Sequence, residues 1–591
     1  MSKGSGAGAL ALACALALSG AVRAGEALRL DGETLDPLTL VAAARDGRRV
    51  EGAAEGWRRV RQGRALLIAA AERCQKIYGL TTGVGANKDR AALDCDALLD
   101  AEGGLTAATM AASRRFNAAL LNAHGAGVAP FAAPEIARAA MIARLNGALR
   151  GGSGIDEPVA RRLQTFLNRD ILPLIPERGS LGQADITLLS HVGLAMQGRW
   201  RVAHRGVVRP AAEALRAEGL APLAFSGKDA LGSFSANAYA AAQAAFALDA
   251  LRAAARMTRL VYAMSLEALD GNVAPLLAEP AKARPFPGVE AAAADLRALL
   301  ADSYLFAPSE GRPLQDPLSF RTALYQLAAL DEAAADLAAT LRLQLNGSDD
   351  NPLVWIGPVD AATAGADGIA VMREDGLEGA VIPSGNFAGL PLALSLERAA
   401  LAAAHAGEGV TRRTIALMNP DFTGLPRFLA GPDTTHAFGA IHKPIVALQA
   451  EIRDLAEPVS LDFAPVALGV EDMATNAPRA ARRLRRIAEN LTALLGFELM
   501  LSAQALDLRR ADRPGLALAP TTLALHAAWR ARAPFLARDD QIFTPLIAEA
   551  AAFVAACRPE GAEAEAWRAA AAAGRLCGGE PDIATEKDDR S

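Results

Sequence analysis

Three stretches of this chain run far without glycine or proline and carry apolar residues around most of their circumference. They cover residues 237–269, 318–346 and 479–495, the last continuing past Gly496 to residue 510. Each predicts a helix, and the first alone would extend about 50 Å at the usual rise per residue. Helices this long and this apolar need neighbours on most sides. A bundle supplies some of them, and further copies of the chain supply the rest. No alternating pattern of comparable strength predicts a strand, and no internal repeat is visible. Glycine and proline instead punctuate residues 78–85, 150–154, 176–182 and 383–387, which read as loops. Loops carried by rigid helices are where site residues concentrate. Residues 356–379, rich in Gly, Ala and Asp, read as a surface excursion, and the polar tail after Gly578 reads as disordered.

Composition fits this picture. Hydrophobic residues make up 52% of 591, enough for a sizeable core, while aromatics are only 5% and alanine recurs throughout. A net charge of −5 with no basic block argues against nucleic acid as a partner. At the N-terminus, Lys3, the apolar run 7–18 and Val22-Arg23-Ala24 read as a signal peptide over residues 1–24, cut near Gly25. The apolar run is shorter than the roughly 20 residues a membrane span needs. The expectation is a periplasmic or secreted protein with no membrane partner. Export would leave Cys74, Cys95, Cys557 and Cys577, either as disulfides or as reduced buried thiols; their pairing is not readable from spacing. No cysteine pair has the close spacing of a zinc site, and the seven histidines form no His-Glu-x-x-His pattern, so no metal is expected.

Two glycine-rich loops carry the chemistry. One is Tyr78-Gly79-Leu80-Thr81-Thr82-Gly83-Val84-Gly85. Taken alone it is a tyrosine beside a turn, and it lacks the Gly-Lys-Thr ending of a phosphate loop. The other is Arg178-Gly179-Ser180-Leu181-Gly182-Gln183-Ala184-Asp185-Ile186. Together they resemble the signatures of the aromatic amino-acid ammonia-lyases, the histidine ammonia-lyases among them. In that family the tyrosine removes the β-proton, which carries over to Tyr78. The second loop there holds an Ala-Ser-Gly triplet between a Gly-Ser-x-Gly lead and an aspartate. The triplet cyclises to the electrophile methylidene-imidazolone. Here the lead and Asp185 are present, but only Gln183 and Ala184 stand between them. The resemblance therefore implies a branch of the family with no such cofactor.

Further segments match along most of the mature chain. Leu121-Asn122-Ala123-His124-Gly125-Ala126-Gly127 resembles the segment whose histidine faces the substrate ring, so His124 is a ring-facing candidate, with a purely structural histidine as the alternative. Gln315-Asp316-Pro317-Leu318-Ser319-Phe320-Arg321 resembles a stretch whose arginine clamps the substrate carboxylate; Gln315 and Arg321 are binding candidates, and the family tyrosine is Leu318 here. Ser384-Gly385-Asn386-Phe387 resembles a stretch whose aromatic ring lines the pocket, which makes Phe387 a pocket candidate. Val470-Glu471-Asp472 matches a segment whose glutamate approaches the substrate, and the apolar character of 461–476 argues against a merely solvated Glu471. In Lys228–Asn237 the family's site asparagine is replaced by Ser235. His442 and Lys443 stand where typical members have neutral residues and would add positive charge or an acid.

The resemblance implies an all-α fold, a long central helical bundle with a loop-rich N-terminal active-site region, assembled as a homotetramer. Expected divisions are the signal segment 1–24, an N-terminal active-site domain 25–225, a central bundle 226–510 and a C-terminal helical region 511–591. The implied reaction is a 1,2-elimination of an amine from a small amino acid or betaine. A quaternary ammonium leaves as a neutral amine and needs no electrophile. This points to the ergothionase branch, which releases trimethylamine from ergothioneine. Tyr78 would act as base, Arg321 as carboxylate clamp, and Lys443 and Glu471 as groups polarising the ring. Tyr78 would need a lowered pKa, supplied by a nearby cation. The alternatives are an ammonia-lyase acting on another amino acid and an inactive periplasmic binding protein on the same scaffold.

Overall fold

The computed structural model describes residues 26–94, 98–99, 105–309, 311–374, 376–558 and 563–577. The expected signal segment, Cys95 and the polar tail after Gly578 lie outside the described residues. The described chain is mostly helical and forms two compact units. The first comprises residues up to Asp249 together with 336–396 and 458–482; the second comprises 250–335, 397–457 and 483–591.

Nine helices position the candidate residues: α1 (Ala54–Glu72), α2 (Ala107–His124), α3 (Pro134–Ala148), α4 (Ile186–Met196), α5 (Ala238–Leu269), α6 (Ala323–Asn346), α7 (Leu390–Leu417), α8 (His442–Leu455) and α9 (Ala477–Asp512). The uninterrupted run at 237–269 becomes α5, and the run at 479–510 becomes α9. Gly496 does not break α9. A Cβ there would come within 2.9 Å of the Ala551 nitrogen, so glycine lets a second helix, Phe543–Ala556, approach closely. The apolar window of α9 is long enough for a bilayer, but 78% of it is buried inside the chain.

Two expectations change. The run at 318–346 is not one helix. A single turn, Leu318–Arg321, ends at Thr322, whose hydroxyl donates to the Leu318 carbonyl, and α6 starts one residue later. The 28-residue helix α7 was not anticipated, because Pro391, Gly407 and Gly409 look like breakers. Pro391 sits in the first turn, where its missing N–H costs nothing. Gly407 and Gly409 face close neighbours: a Cβ would meet Gln449 Oε1 at 2.7 Å and crowd Gln326.

Short strands also appear. Leu353–Ile356, Ala370–Glu374 and Leu377–Ile382 form an antiparallel sheet with Leu377–Ile382 in the centre. This corrects the reading of 356–379 as a surface excursion. Val354, Ala370, Met372 and Val381 are buried against Leu66, Leu67 and Ala70 of α1. A second sheet orders Ile171–Pro173, Arg201–His204 and Val207–Pro210.

In the second unit, Arg413 and Glu498 form a fully buried ion pair, with Nε to Oε1 at 2.6 Å and Nη2 to Oε2 at 3.1 Å. The Arg413 guanidinium also lies 5.2 Å from the Tyr262 ring centre. Cys557 and Cys577 form a disulfide, and Cys74 is disulfide-bonded as well.

Candidate active site

The loop from Gly179 to Asp185 is held almost entirely by its surroundings in the first unit. Ser180 Oγ donates to Asp185 Oδ1 at 2.7 Å and accepts the Gly182 N–H at 3.1 Å. The other carboxylate oxygen, Oδ2, accepts the Ala240 N–H at 2.8 Å, in the first turn of α5. Asp185 is fully buried, and burial raises its pKa to about 6 against the lowering effect of these donors. The Leu181 carbonyl accepts the N–H groups of Thr475 and Asn476, and Thr475 Oγ1 donates to the Gly182 carbonyl at 2.8 Å. Gly182 has φ +75°, and a Cβ there would meet Thr475 Oγ1 at 2.3 Å, so only glycine fits.

Gln183 and Ala184 fill the span between Gly182 and Asp185. The Gln183 amide donates to the Met473 carbonyl at 3.1 Å, and the Ala184 N–H donates to Asn237 Oδ1 at 3.0 Å. Neither residue has a hydroxyl to eliminate. Ser180 has one, but it is committed to Asp185, and the Gly179 carbonyl accepts Thr187 Oγ1. The donor set does not fit methylidene-imidazolone formation.

Asn237 is a residue the sequence reading missed. The absence of asparagine at 235 suggested a lost carboxamide, yet Asn237 supplies one to the loop. Its Oδ1 takes the Ala184 N–H, and its Nδ2 donates to the Phe387 carbonyl at 2.8 Å. Ser235 is buried where a short helix, Asp229–Phe234, ends. Asp349 was also missed. It accepts the Asn237 N–H at 2.6 Å, lies beside Arg144, and is pushed up to about 7 by burial and by neighbouring Asp350. The Asp349-Asp350-Asn351 run was the available signal.

A cavity of about 230 Å³ opens against this loop, lined by Ser180, Gln183, Ala184 and Thr187 on one side and by Val466, Glu471 and Met473 on the other. Glu471 closes a tight reversal in which Val466 and Glu471 exchange both backbone hydrogen bonds. Tyr78 belongs to the same cluster. Its phenol oxygen accepts the Gly85 N–H at 2.8 Å, and the turn Gly85–Asn87 packs on the turn Ala467–Gly469. Burial raises the Tyr78 pKa, the Gly85 N–H lowers it, and the Glu471 carboxylate raises it again. The expected lowering by a cation is thus reversed among the described residues. Glu471 is itself exposed, and so are Leu461, Leu468 and Met473 around it. The apolar neighbours that argued for its burial do not cover it.

His124 ends α2. Its Nδ1 lies 2.8 Å from the Leu120 carbonyl, its ring stacks on Phe234 at 5.1 Å, and its carbonyl accepts Ser190 Oγ from α4. This ties it to the helix that follows the loop. Phe387 is half-buried and joins the cluster through Asn237.

The remaining candidates lie in the second unit. Arg321 is half-buried, next to Asp316, and its Nε is buried without a hydrogen-bond partner among the described residues. Gln315 is exposed. His442 starts α8, packs edge-on against Phe428 at 5.6 Å, and has a buried Nε2 with no partner among the described residues; burial lowers its pKa. Lys443 is exposed.

A family model described as aromatic amino acid lyase matches residues 35–531. Histidine ammonia-lyase of Anaeromyxobacter sp. (strain K) is 34% identical over 527 residues, covering 87% of this chain and 96% of the relative. Among solved structures, the ergothioneine-degrading enzyme ergothionase from Treponema denticola, in complex with desmethyl-ergothioneine sulfonic acid, superposes with a TM-score of 0.78 at 32% identity. It covers 90% of this chain and 98% of that one. Histidine ammonia-lyase from Trypanosoma cruzi gives 0.74 at 25% identity, covering 89% and 93%.

The loop geometry makes a stability prediction. Asp185 has a raised folded-state pKa, so the stability it contributes is complete below about 4 and lost as pH rises through about 6. Ser180→Ala removes a donor that matters most to the ionised carboxylate. Its destabilisation should be larger at pH 8 than at pH 5, by about 1 kcal/mol. Denaturant unfolding at the two pH values measures this; equal penalties would contradict it.

Proposed function

The chain belongs to the aromatic amino acid lyase family and is a carbon–nitrogen lyase, and from that premise we propose that it eliminates trimethylamine from a histidine-derived betaine such as ergothioneine. The observation that carries this reading is the loop between Gly182 and Asp185, which borders the Tyr78–Glu471 cluster yet holds no residue able to form an electrophile. The likeness to ergothionase supports it.

The reaction balances without an electrophile. Tyr78 takes the proton from the carbon bearing the ring. The C–H electron pair becomes the new carbon–carbon double bond. The C–N pair leaves with the nitrogen as a neutral tertiary amine. Arg321 holds the carboxylate through a guanidinium whose Nε has no partner among the described residues. His124 faces the ring, with Ser235, Phe387, His442 and Gln315 completing the pocket; Glu471 and Lys443 polarise the ring as charge develops beside the carbanion centre. The cation that lowers the Tyr78 pKa is the substrate's own quaternary ammonium, since the charge that acts on Tyr78 among the described residues is the carboxylate of Glu471, which raises it.

The site is assembled in a homotetramer. Exposed Glu471 and Lys443 and the exposed apolar residues Leu461, Leu468 and Met473 support a neighbouring copy covering them. Export to the periplasm or beyond agrees with the Cys557–Cys577 disulfide. The second reading, ammonia release from histidine, is favoured by the names of the curated relatives and disfavoured by the loop.

Purified protein incubated separately with ergothioneine, histidine betaine and histidine should release trimethylamine from a betaine, with an unsaturated product absorbing in the ultraviolet. Tyr78→Phe should lower the rate at least a hundredfold. Ammonia from histidine alone would establish the second reading, and binding without product would leave a binding protein. With the betaine, the rising limb of kcat should fall at lower pH than that of kcat/KM, because the bound cation favours the phenolate. Coincident limbs would remove the substrate cation from the mechanism. Co-expressed Tyr78→Phe and Arg321→Ala chains should recover activity that neither has alone, as a site built from different copies requires. No recovery in mixed tetramers would place both residues of a site in one copy.

A further inference from the structure

A second cavity, of about 260 Å³, lies in the first unit and is lined by none of the candidate residues. Its floor is one face of the sheet formed by Ile171–Pro173, Arg201–His204 and Val207–Pro210. Leu172 pairs with Ala203, and Ala203 with Val208, so these three side chains lie abreast across the strands. Arg201 shares their face, two residues from Ala203 along the same strand. The opposite wall is Phe131 and the first turn of α3, from Ala133 through Glu135 to Ala137.

The walls are apolar apart from two opposite charges, Arg201 and Glu135. Neither makes an ion pair with the other, and neither side chain has a hydrogen-bonding partner among the described residues. A guanidinium and a carboxylate that border one apolar cavity without joining are complementary to a ligand that carries both charges and an apolar body. We propose that this cavity binds a zwitterionic α-amino acid with an apolar side chain. Arg201 takes its carboxylate and Glu135 its ammonium, while the side chain rests on Leu172, Ala203 and Val208. Apart from Glu135, which is held to the ammonium, no lining residue carries a base or nucleophile, so the role is binding and not turnover. The inference is independent of the substrate assigned to the active site.

The test uses full-length protein and L-leucine, with 4-methylpentanoate and 3-methylbutylamine as single-charge analogues, followed by titration calorimetry and ligand-observed NMR. L-Leucine should bind the parent protein and Arg321→Ala alike, since Arg321 belongs to the other site. Arg201→Gln and Glu135→Gln should each weaken binding at least tenfold, the loss expected for one charge-assisted hydrogen bond. Each analogue should bind at least tenfold more weakly than leucine. Both substituted residues lie at the molecular surface or partly exposed, and circular dichroism checks that the variants fold. No saturable binding up to roughly 10 mM, or binding indifferent to either substitution, would overturn the proposal. An analogue equal to leucine would overturn the zwitterion assignment. Loss of leucine binding in Arg321→Ala would return the ligand to the active site.

Discussion

The buried carboxylate of Asp185 is the tie on which the candidate site depends. One oxygen takes the hydroxyl of Ser180, and the other takes a backbone amide at the start of α5. The residue itself begins α4. One residue thus joins a loop to the origins of two helices, through its side chain at α5 and its backbone at α4. Burial makes its charge costly, so its donors are not optional. The rest of the cluster hangs from what this tie holds still. Carbonyls of Leu181 and Gly182 carry Thr475 and Asn476, and that segment presents Glu471 to the cavity.

Electrostatics then narrows the chemistry. Tyr78 sits half-buried, one backbone amide on its oxygen and a carboxylate nearby, so its phenol is held neutral in the resting chain. As the proposed base, such a phenol is idle until positive charge arrives. An ammonium that cannot lose a proton brings that charge permanently, whereas an ordinary amine brings it only while protonated. The same feature that makes the electrophile dispensable would therefore also switch on the base.

Some of this was readable along the chain and some was not, for definite reasons. The helices α5 and α9 were legible because only Gly496 interrupts their apolar pattern. Helix α7 was not, because Gly407 and Gly409 serve close packing and look the same in sequence as glycines that end helices. The small sheet around residues 353–382 has strands of four to six residues, too short for periodicity to register. Tyr78, Glu471 and the loop were found together by their flanking motifs. Asn237 was passed over in favour of Ser235 because a linear match compares positions, while a carboxamide's reach depends on where the short helix before it stops. The direction of the Tyr78 shift was missed because it depends on burial, which the glycines around it conceal. Glu471 was expected to be covered because its neighbours are apolar, but those neighbours are themselves exposed.

The fixed ends of the loop have one more consequence. Gly182 is locked by its close approach to Thr475, and Asp185 by its donors, so the backbone between them has room for two residues. A cyclising triplet is one residue longer. Point substitutions at Gln183 and Ala184 therefore cannot convert this scaffold into one that makes its own electrophile. Conversion would demand an insertion, with Asn237 and Thr475 giving up their present bonds. For protein engineering, this loop is separated from a cyclising one by a change in chain length, which single-site libraries never cross.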